Sequence, residues 1–332
     1  MGYAFRYLFE CIRKDYGIDT YDGFFLFNAD NILDKQYFEK MNDAFVACEG
    51  KSIITSFRNS KNFGSNILSA MYGLYFAYGC RFESRGRSVL GCSTRVQGTG
   101  YVVNSNIVKD GWKYVTLTED WEFTADQVIE GSKIVFCDEA MFYDEQPTSI
   151  RVMWRQRVRW AKGHLLVCLS RYGDLLRALF TSKKKGGNAH KVSVYDISVN
   201  ILPVCVITAC ITLLQILLSV LAPLFGHSWT ECLYDWAVSG LPNAIFSYLL
   251  IVFTSALLYF LERKRFPKMP LYIKIVSTLL WPIFLFLSIP AEVVALFTKN
   301  VGWKPIPHSD QTVFDDLNTQ EETTEETEST NV

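Results

Sequence analysis

The sequence predicts an α/β domain over residues 1–180, followed by an α-helical transmembrane region. Two observations lead to this fold class. Helical and strand patterns alternate through the first half of the chain, as they do in α/β domains. Nearly all of the excess apolar content lies after Ser193, in charge-free runs long enough to cross a bilayer, which takes about 20 residues of helix.

The elements of the first domain follow from local residue patterns. Strands are predicted where short apolar runs contain β-branched and aromatic residues, at 24–27, 52–57 and 134–137. The first of these strands carries no charge and is predicted to be buried in the sheet. Helices are predicted over residues 2–15, 34–47, 64–79, 119–130 and 148–173. The glycine-containing stretch 81–117 is predicted to be extended and rich in loops.

A basic linker at residues 181–196 is predicted to lead into three apolar runs. Spans are expected at about 197–225, 241–261 and 275–297. The alternative for each run is a buried core helix, which the first two charge-free runs disfavour. The third run contains Pro282 and Pro290, so a re-entrant or interfacial segment is an open alternative there.

The charges around these runs predict an orientation in the membrane. Basic residues precede the first span and fill the 262–274 loop, whereas residues 227–243 contain no Lys or Arg. The positive-inside rule therefore predicts a multi-pass protein of the cell membrane, with residues 1–190 in the cytoplasm. The polar, acidic tail at 299–332 is predicted to be disordered, on a side that depends on whether the third run spans.

Composition excludes some classes of function. The formal net charge is −1 and no basic stripe is interleaved with exposed aromatic residues, so nucleic acid is not an expected partner. Nine cysteines occur without any Cys-x-x-Cys spacing, which argues against a zinc or disulfide framework.

The first chemical motif follows the strand at 24–27 and consists of Asn28, Ala29 and Asp30. Ligands of α/β sheets bind beyond the carboxyl ends of strands, which is where this motif lies. A carboxylate beside amide oxygens suits a hard cation such as Mg²⁺ or Mn²⁺ carrying a diphosphate. The alternative is a structural Asx-turn after the strand.

The second motif is Thr118-Glu119-Asp120 at the start of a predicted helix. Thr118 is a candidate N-cap, and acidic residues in a first turn also stabilise the helix dipole. The functional interpretation is a carboxylate that deprotonates the hydroxyl of a sugar acceptor.

The third motif lies on the helix at 148–173, where Gln156, Arg159 and Trp160 have i, i+3 and i+4 spacing and share a face. A guanidinium beside an indole can bind a diphosphate and stack on a sugar ring. An interfacial helix whose basic residues meet anionic lipid is the alternative.

In this order and ahead of apolar spans, the three motifs resemble those of membrane-bound family 2 glycosyltransferases. That group includes the cellulose, chitin, hyaluronan and poly-N-acetylglucosamine synthases. The resemblance covers most of residues 1–175. Segment 56–62 and the turn Gly98-Thr99-Gly100 look like the bacterial branch of the family.

The resemblance implies a GT-A fold and a nucleotide-sugar donor, usually a UDP-sugar, with inversion at the anomeric carbon. The implied acceptor is a growing polysaccharide or a glycolipid. Asp30 matches the metal-binding aspartate of the D-x-D motif, and Asn28 takes the place of its first aspartate. The implied cofactor is a divalent cation, Mg²⁺ or Mn²⁺.

The resemblance also assigns roles near the acceptor. Asp120, preceded by Glu119, matches the general base. The motif that contacts the donor diphosphate and the acceptor end of the glycan is matched by Gln156, Arg159 and Trp160. The turn expected near the acceptor site is formed by Gly98, Thr99 and Gly100.

Two departures from the family pattern leave a second interpretation of the function open. Asn28 replaces a carboxylate, which lowers the local negative charge. The run Gly2-Tyr3-Ala4 resembles a turn that precedes the D-x-D strand, so the chain is expected to begin inside the domain, without the N-terminal half that holds the nucleotide. The competing hypothesis is a non-catalytic membrane protein, a remnant that binds a glycan or a partner.

Overall fold

The computed structural model describes residues 2–181, 187–226, 228–299 and 301. Residues 182–186 of the predicted basic linker and nearly all of the predicted acidic tail lie outside the described residues. The strands are β1 (Gly23–Leu26), β2 (Ile32–Leu33), β3 (Ile53–Ser60), β4 (Tyr101–Asn104) and β5 (Ile134–Asp144). The helices around them are α1 (Gly2–Asp15), α2 (Tyr37–Ala47), α3 (Ile67–Tyr78), α4 (Arg85–Val89), α5 (Glu119–Glu130), α6 (Ile150–Thr181) and α7 (Gly187–Asn200). The mixed α/β prediction is confirmed.

The five strands form one sheet in the order β1-β4-β3-β5-β2. β3 and β5 run parallel, and the other pairs are antiparallel. β3 lies at the centre, where Ile53, Ile54 and Phe57 are fully buried. Apolar side chains on both faces of β3 therefore anchor the helices that cover the sheet.

β1 occupies an edge of this sheet, and the prediction that it is a buried strand is wrong. It pairs with β4 on one side, and no described strand pairs with its other side. Leu26 is its only buried residue, and Phe25 is 37% exposed. An uncharged aromatic run indicates a strand, but its neighbours decide whether both faces are covered.

Two predicted helices have the predicted bounds, α1 at Gly2–Asp15 and α5 at Glu119–Glu130. The prediction that 81–117 is extended is wrong for its first part. A π-helical segment (Gly79–Ser84) leads into α4 there. Ion pairs from Arg81 to Glu262 and from Arg85 to Asp138 hold this segment against distant parts of the chain, so its local glycines do not decide its structure.

Beyond the α/β domain lie α8 (Val204–Leu221), α9 (Trp229–Asp235), α10 (Leu241–Leu261), α11 (Leu271–Phe286) and α12 (Ser288–Phe297). Three helical stretches among the described residues are long and apolar enough to cross a membrane: Val204–Phe225, Trp229–Leu261 and Leu271–Phe297. The first begins later than residue 197, because α7 occupies Gly187–Asn200 inside the predicted linker and span. The third is divided at Leu287 into α11 and α12.

The loop after α10 docks onto the sheet. Glu262 is 3% exposed and pairs with Arg81 at 3.2 Å, and Arg265 pairs with Asp138 at 3.0 Å. The side chain of Asn59 in β3 donates to the carbonyl of Arg265 at 2.7 Å. These contacts place the loop and the sheet on the same side of the apolar helices.

Arg265→Ala is expected to lower the free energy of unfolding by roughly 2 kcal/mol, less than for a fully buried pair because Arg265 is partly exposed. The substitution removes a partner from both Asp138 and Glu262. Thermal unfolding in detergent measures the effect. The control is Arg263→Ala, whose exposed side chain contacts the Phe260 ring and carbonyl in the described part of the chain. Equal melting temperatures for the two variants would contradict the docking role.

Candidate active site

The Asn28–Asp30 motif meets the Gly98–Gly100 turn at the end of β1. The backbone N–H of Asn28 lies 2.9 Å from Thr99 Oγ1 and 3.0 Å from Asn31 Oδ1, and donates to both. The Thr99 hydroxyl also donates to Asn31 Oδ1, and the N–H of Gly100 donates to Leu26 O at 3.0 Å. The Asn28–Asp30 turn and the Gly98–Gly100 turn are therefore one hydrogen-bonded unit.

Glycine is required at both ends of the second turn. Gly98 and Gly100 have φ of 84° and 70°, a region that other residues rarely adopt. A Cβ on Gly100 would lie 2.1 Å from the Phe142 ring. A Cβ on Gly98 would lie 3.7 Å from Asp120 Oδ2, so this turn passes directly beside the Asp120 carboxylate.

Thr118 does not cap α5, which corrects the expectation from sequence. Its side chain makes no cap hydrogen bond, and its Oγ1 is buried without a hydrogen-bond partner in the described structure. The side chain packs instead against α6, where a Cβ on Gly163 would lie 2.5 Å from Thr118 Cγ2. Close approach to α6 thus sets the position of the chain just before Glu119 and Asp120.

The two carboxylates at the start of α5 are electrostatically unusual. Burial raises the pKa of Asp120, while the N–H of Trp121 and the guanidinium groups of Arg95 and Arg159 lower it in part. Burial and the neighbouring Asp120 raise the pKa of Glu119. A carboxylate with a raised pKa is a better proton acceptor than an ordinary aspartate, which suits a general base.

The three residues of the α6 motif contact the chain just before α5 and helix α3. Arg159 Nη1 donates to Leu117 O at 2.9 Å, next to the second motif. Gln156 Oε1 accepts from the Tyr72 hydroxyl at 2.9 Å. The Trp160 ring lies edge-on to the Tyr72 ring, with 6.4 Å between the ring centroids. α6 therefore connects the start of α5 to α3. The rings of Tyr72 and Trp160 form an aromatic wall between α3 and α6.

Arg58 in β3 is a site residue that sequence reasoning did not identify. It forms an ion pair with Asp144, donates to Gln97 O at 3.0 Å and lies 3.7 Å above the centroid of the Phe76 ring. Burial raises the pKa of Asp144, Arg58 lowers it and the charge of Asp30 raises it again. The pair thus links the region of Asp30 to the residue before Gly98. A carboxylate at the end of a strand was the available sequence signal for Asp144.

The residues beyond β1 fit a cation that arrives together with a diphosphate. Asn28 Oδ1 is buried and has no hydrogen-bond partner in the described structure, and Asp30 is only two residues away. Among the described residues, no group of three or more His, Cys, Asp or Glu could hold a metal ion. Mg²⁺ commonly binds one or two carboxylates and takes its other ligands from phosphates and water, which matches this sparse oxygen set.

Comparison with known proteins gives a family match over most of the chain. The model for "Glycosyl transferase family group 2" matches residues 23–289, which includes all three motifs. The chain is 33% identical over 92 residues to the probable glycosyltransferase YdaM of Bacillus subtilis (strain 168). That alignment covers 27% of this chain and 21% of the Bacillus protein, so the matched segment is about a fifth of the relative's length.

Proposed function

We propose that this chain, which belongs to glycosyl transferase family group 2, catalyses a glycosyl transfer reaction. The reaction moves a sugar from a nucleotide-sugar donor, a UDP-sugar, to a growing polysaccharide or glycolipid at the membrane, with inversion at the anomeric carbon. The general base is Asp120. Donor and acceptor contacts are assigned to Asn28, Gly98, Thr99, Gly100, Glu119, Gln156, Arg159 and Trp160, and the cation ligand is Asp30.

The observation that carries this proposal is the meeting of the separate motifs. Hydrogen bonds of Thr99 and Gly100 fasten the glycine turn to the turn beyond β1. Gly98 brings the same turn beside Asp120, and Arg159 bonds the backbone just before Thr118. A candidate base, a guanidinium and a candidate cation ligand joined by neighbouring turns suit in-line displacement.

In the proposed reaction, the acceptor hydroxyl attacks the anomeric carbon while Asp120 takes its proton. The new bond joins the acceptor oxygen to that carbon, and the bond from the carbon to the diphosphate oxygen breaks. The diphosphate leaves with the electron pair as part of UDP. Arg159 is assigned to stabilise the charge that develops on the leaving group, because a guanidinium binds phosphate oxygens in a bidentate manner.

A divalent cation held by Asp30, with Asn28 Oδ1 beside it, would neutralise the negative charge of the diphosphate. Arg58 and Asp144 hold the adjacent residues in place, since their ion pair joins the end of β5 to the glycine turn. Thr99 and Asn31 set the backbone at Asn28 by hydrogen bonding. These contacts keep the two turns at a constant separation before a donor binds.

The membrane assignment rests on the three long apolar helices. The Glu262–Pro270 loop contacts the sheet, so the α/β domain and this loop share one side, which we assign to the cytoplasm from their basic residues. The aromatic wall of Tyr72 and Trp160 belongs to one apolar cluster with Leu258, Trp281 and Phe284 of these helices. The glycan is proposed to leave the site along this wall.

The test of this function uses the full chain in lipid nanodiscs, incubated with a panel of UDP-sugars and Mg²⁺ or Mn²⁺. Release of UDP and formation of an elongated or lipid-linked glycan are measured together. Transfer from at least one donor is the expected result. Glycan binding without UDP release from any donor would instead support the non-catalytic alternative.

Asp30→Ala is expected to raise the cation concentration needed for half-maximal rate by roughly tenfold or more, because it removes the candidate carboxylate ligand. The matched control is Asp22→Ala, an exposed aspartate at the opposite end of β1. Rates are measured over a Mn²⁺ titration at a saturating donor concentration. An unchanged cation requirement in Asp30→Ala would remove Asp30 from the metal site.

A further inference from the structure

Arg95, in the loop before β4, is clamped between an acid and an aromatic ring. Its Nη2 lies 3.3 Å from Glu83 Oε2 in an ion pair, and its guanidinium lies 5.1 Å from the centroid of the Trp121 ring. Trp121 directly follows Asp120 in α5. The position of Arg95 is thus determined on both sides by side chains that are not part of the three motifs.

The other face of Trp121 is also covered. The His164 ring of α6 stacks on the indole, with 4.6 Å between centroids and 23° between planes. Burial and the charge of Arg95 lower the pKa of His164 to about 4, so this imidazole is neutral at physiological pH. Trp121 therefore lies between one cationic group and one neutral ring, and the only cation of this stack is Arg95.

The clamp extends to the helix that precedes the first candidate span. Glu83 also pairs with Arg87 at 3.5 Å, and Arg87 pairs with Asp196 of α7 at 2.5 Å. These ion pairs are partly buried, so water screens them less than it screens surface pairs. The chain of charges fixes Glu83 and, through it, the guanidinium of Arg95.

We propose that Arg95 is a positioning residue for the Asp120 carboxylate, acting through the Glu83–Arg95–Trp121 clamp. The proposal rests on the proposed function, in which Asp120 takes the acceptor proton. Arg95 keeps the partly buried carboxylate ionised and fixes the indole that follows it. The charged or titratable groups that act on Asp120 are Arg95 from the loop before β4, Arg159 from α6, and Glu119 and Tyr101 from α5 and β4.

Electrostatics explains why a cation is needed here. Arg95 and Arg159 are the two cations that lower the raised pKa of Asp120, and Arg159 is also engaged with Leu117 O. Without Arg95, the effect of burial on the Asp120 pKa is opposed chiefly by the Arg159 guanidinium and two backbone hydrogen bonds. The protonated form of Asp120, which cannot act as a base, then persists to higher pH.

The first test measures transfer rates against pH for the wild type, Arg95→Met and Arg95→Lys in nanodiscs. Arg95→Met is expected to lose rate by roughly tenfold more at the acidic end of the profile than at its alkaline end. Arg95→Lys is expected to restore the wild-type profile, because it keeps the charge. The control is Arg85→Met, which removes a nearby arginine that pairs with Asp138. A uniform loss at every pH would show a structural role and overturn the proposal.

The second test does not require activity. Infrared difference spectra identify the protonated carboxyl band that disappears in Asp120→Asn, and this band is titrated in each variant. In Arg95→Met, or in Arg95→Gln if the methionine variant fails to fold, the band is expected to persist to higher pH than in the wild type. An unchanged titration would overturn the positioning role. Absence of transfer in the wild type would reject the proposed function while leaving this measurement interpretable.

Discussion

Asp120→Asn is expected to reduce glycosyl transfer by about 10³-fold and, at neutral pH, to raise the melting temperature. The loss of activity follows from removal of the proton acceptor, because a positioned general base contributes about 10²–10⁴-fold. The amide is nearly isosteric with the carboxylate and keeps the approach of Gly98. Activity and stability therefore change in opposite directions, which separates loss of chemistry from loss of fold.

The gain in stability follows from the raised pKa of Asp120 in the folded protein. The folded state binds the proton more tightly than the unfolded chain, so this group stabilises the fold below the unfolded pKa of about 3.9. That contribution is lost as pH rises through the folded pKa. At neutral pH, the wild type therefore bears the cost of a buried charge, which asparagine does not carry.

Melting temperatures of the wild type and Asp120→Asn, measured from pH 4 to pH 8, are expected to diverge as pH rises. Asp110→Asn, at an exposed aspartate outside the site, is the control and should follow the wild type. A rate in Asp120→Asn within tenfold of wild type would contradict the role of base. A melting temperature that falls at neutral pH would show that Asp120 stabilises the fold.

Local sequence signals predicted the elements that depend on local physics. The bounds of α1 and α5 followed from their apolar spacing and flanking residues. The charge-free runs predicted the long apolar helices, since length and composition define such segments. The Gly98–Gly100 turn was identified from its resemblance to the family, and the positive φ of both glycines explains the residue type.

Features set by distant partners could not be predicted in this way. Arg58 acquires its position from Asp144 and from Gln97, which lie 86 and 39 residues away in sequence. The Asn28 amide depends on Thr99, 71 residues away. Thr118 looked like a helix cap, yet its side chain packs on α6 instead. Residue type predicts chemistry, but tertiary contacts decide which of two plausible roles a side chain takes.

Gly163→Ala is expected to reduce the transfer rate by about 10²-fold, although it lies on α6 and is not one of the proposed substrate-binding residues. A Cβ there would lie 2.5 Å from Thr118 Cγ2 and 2.6 Å from its Oγ1, so Thr118 must move. Thr118 is 5% exposed and enclosed, so its displacement shifts the backbone that leads to Asp120. It also shifts Leu117 O, which holds Arg159.

The same helix provides a matched control in Gly173→Ala. A Cβ at Gly173 would meet nothing within 4 Å, so the substitution should stabilise α6 by up to about 1 kcal/mol and leave the rate unchanged. Both variants make the same change in helix propensity, but Gly163 is buried against Thr118 whereas Gly173 is exposed. Comparing the unfolding curves and transfer rates of the two variants therefore shows the effect of the steric contact with Thr118 on stability and on rate.

A double variant tests whether that contact is the cause. Gly163→Ala combined with Thr118→Ala removes the two closest of the three side-chain atoms that the new methyl group would meet and leaves Thr118 Cβ at 3.0 Å. Thr118→Ala removes no cap hydrogen bond, because the threonine side chain makes none. The double variant should be faster than Gly163→Ala alone, since the two effects are coupled through one contact. Equal rates in the double variant and in Gly163→Ala would mean that Gly163 acts on the site by a route other than Thr118. A wild-type rate in Gly163→Ala would show that the site tolerates the displacement.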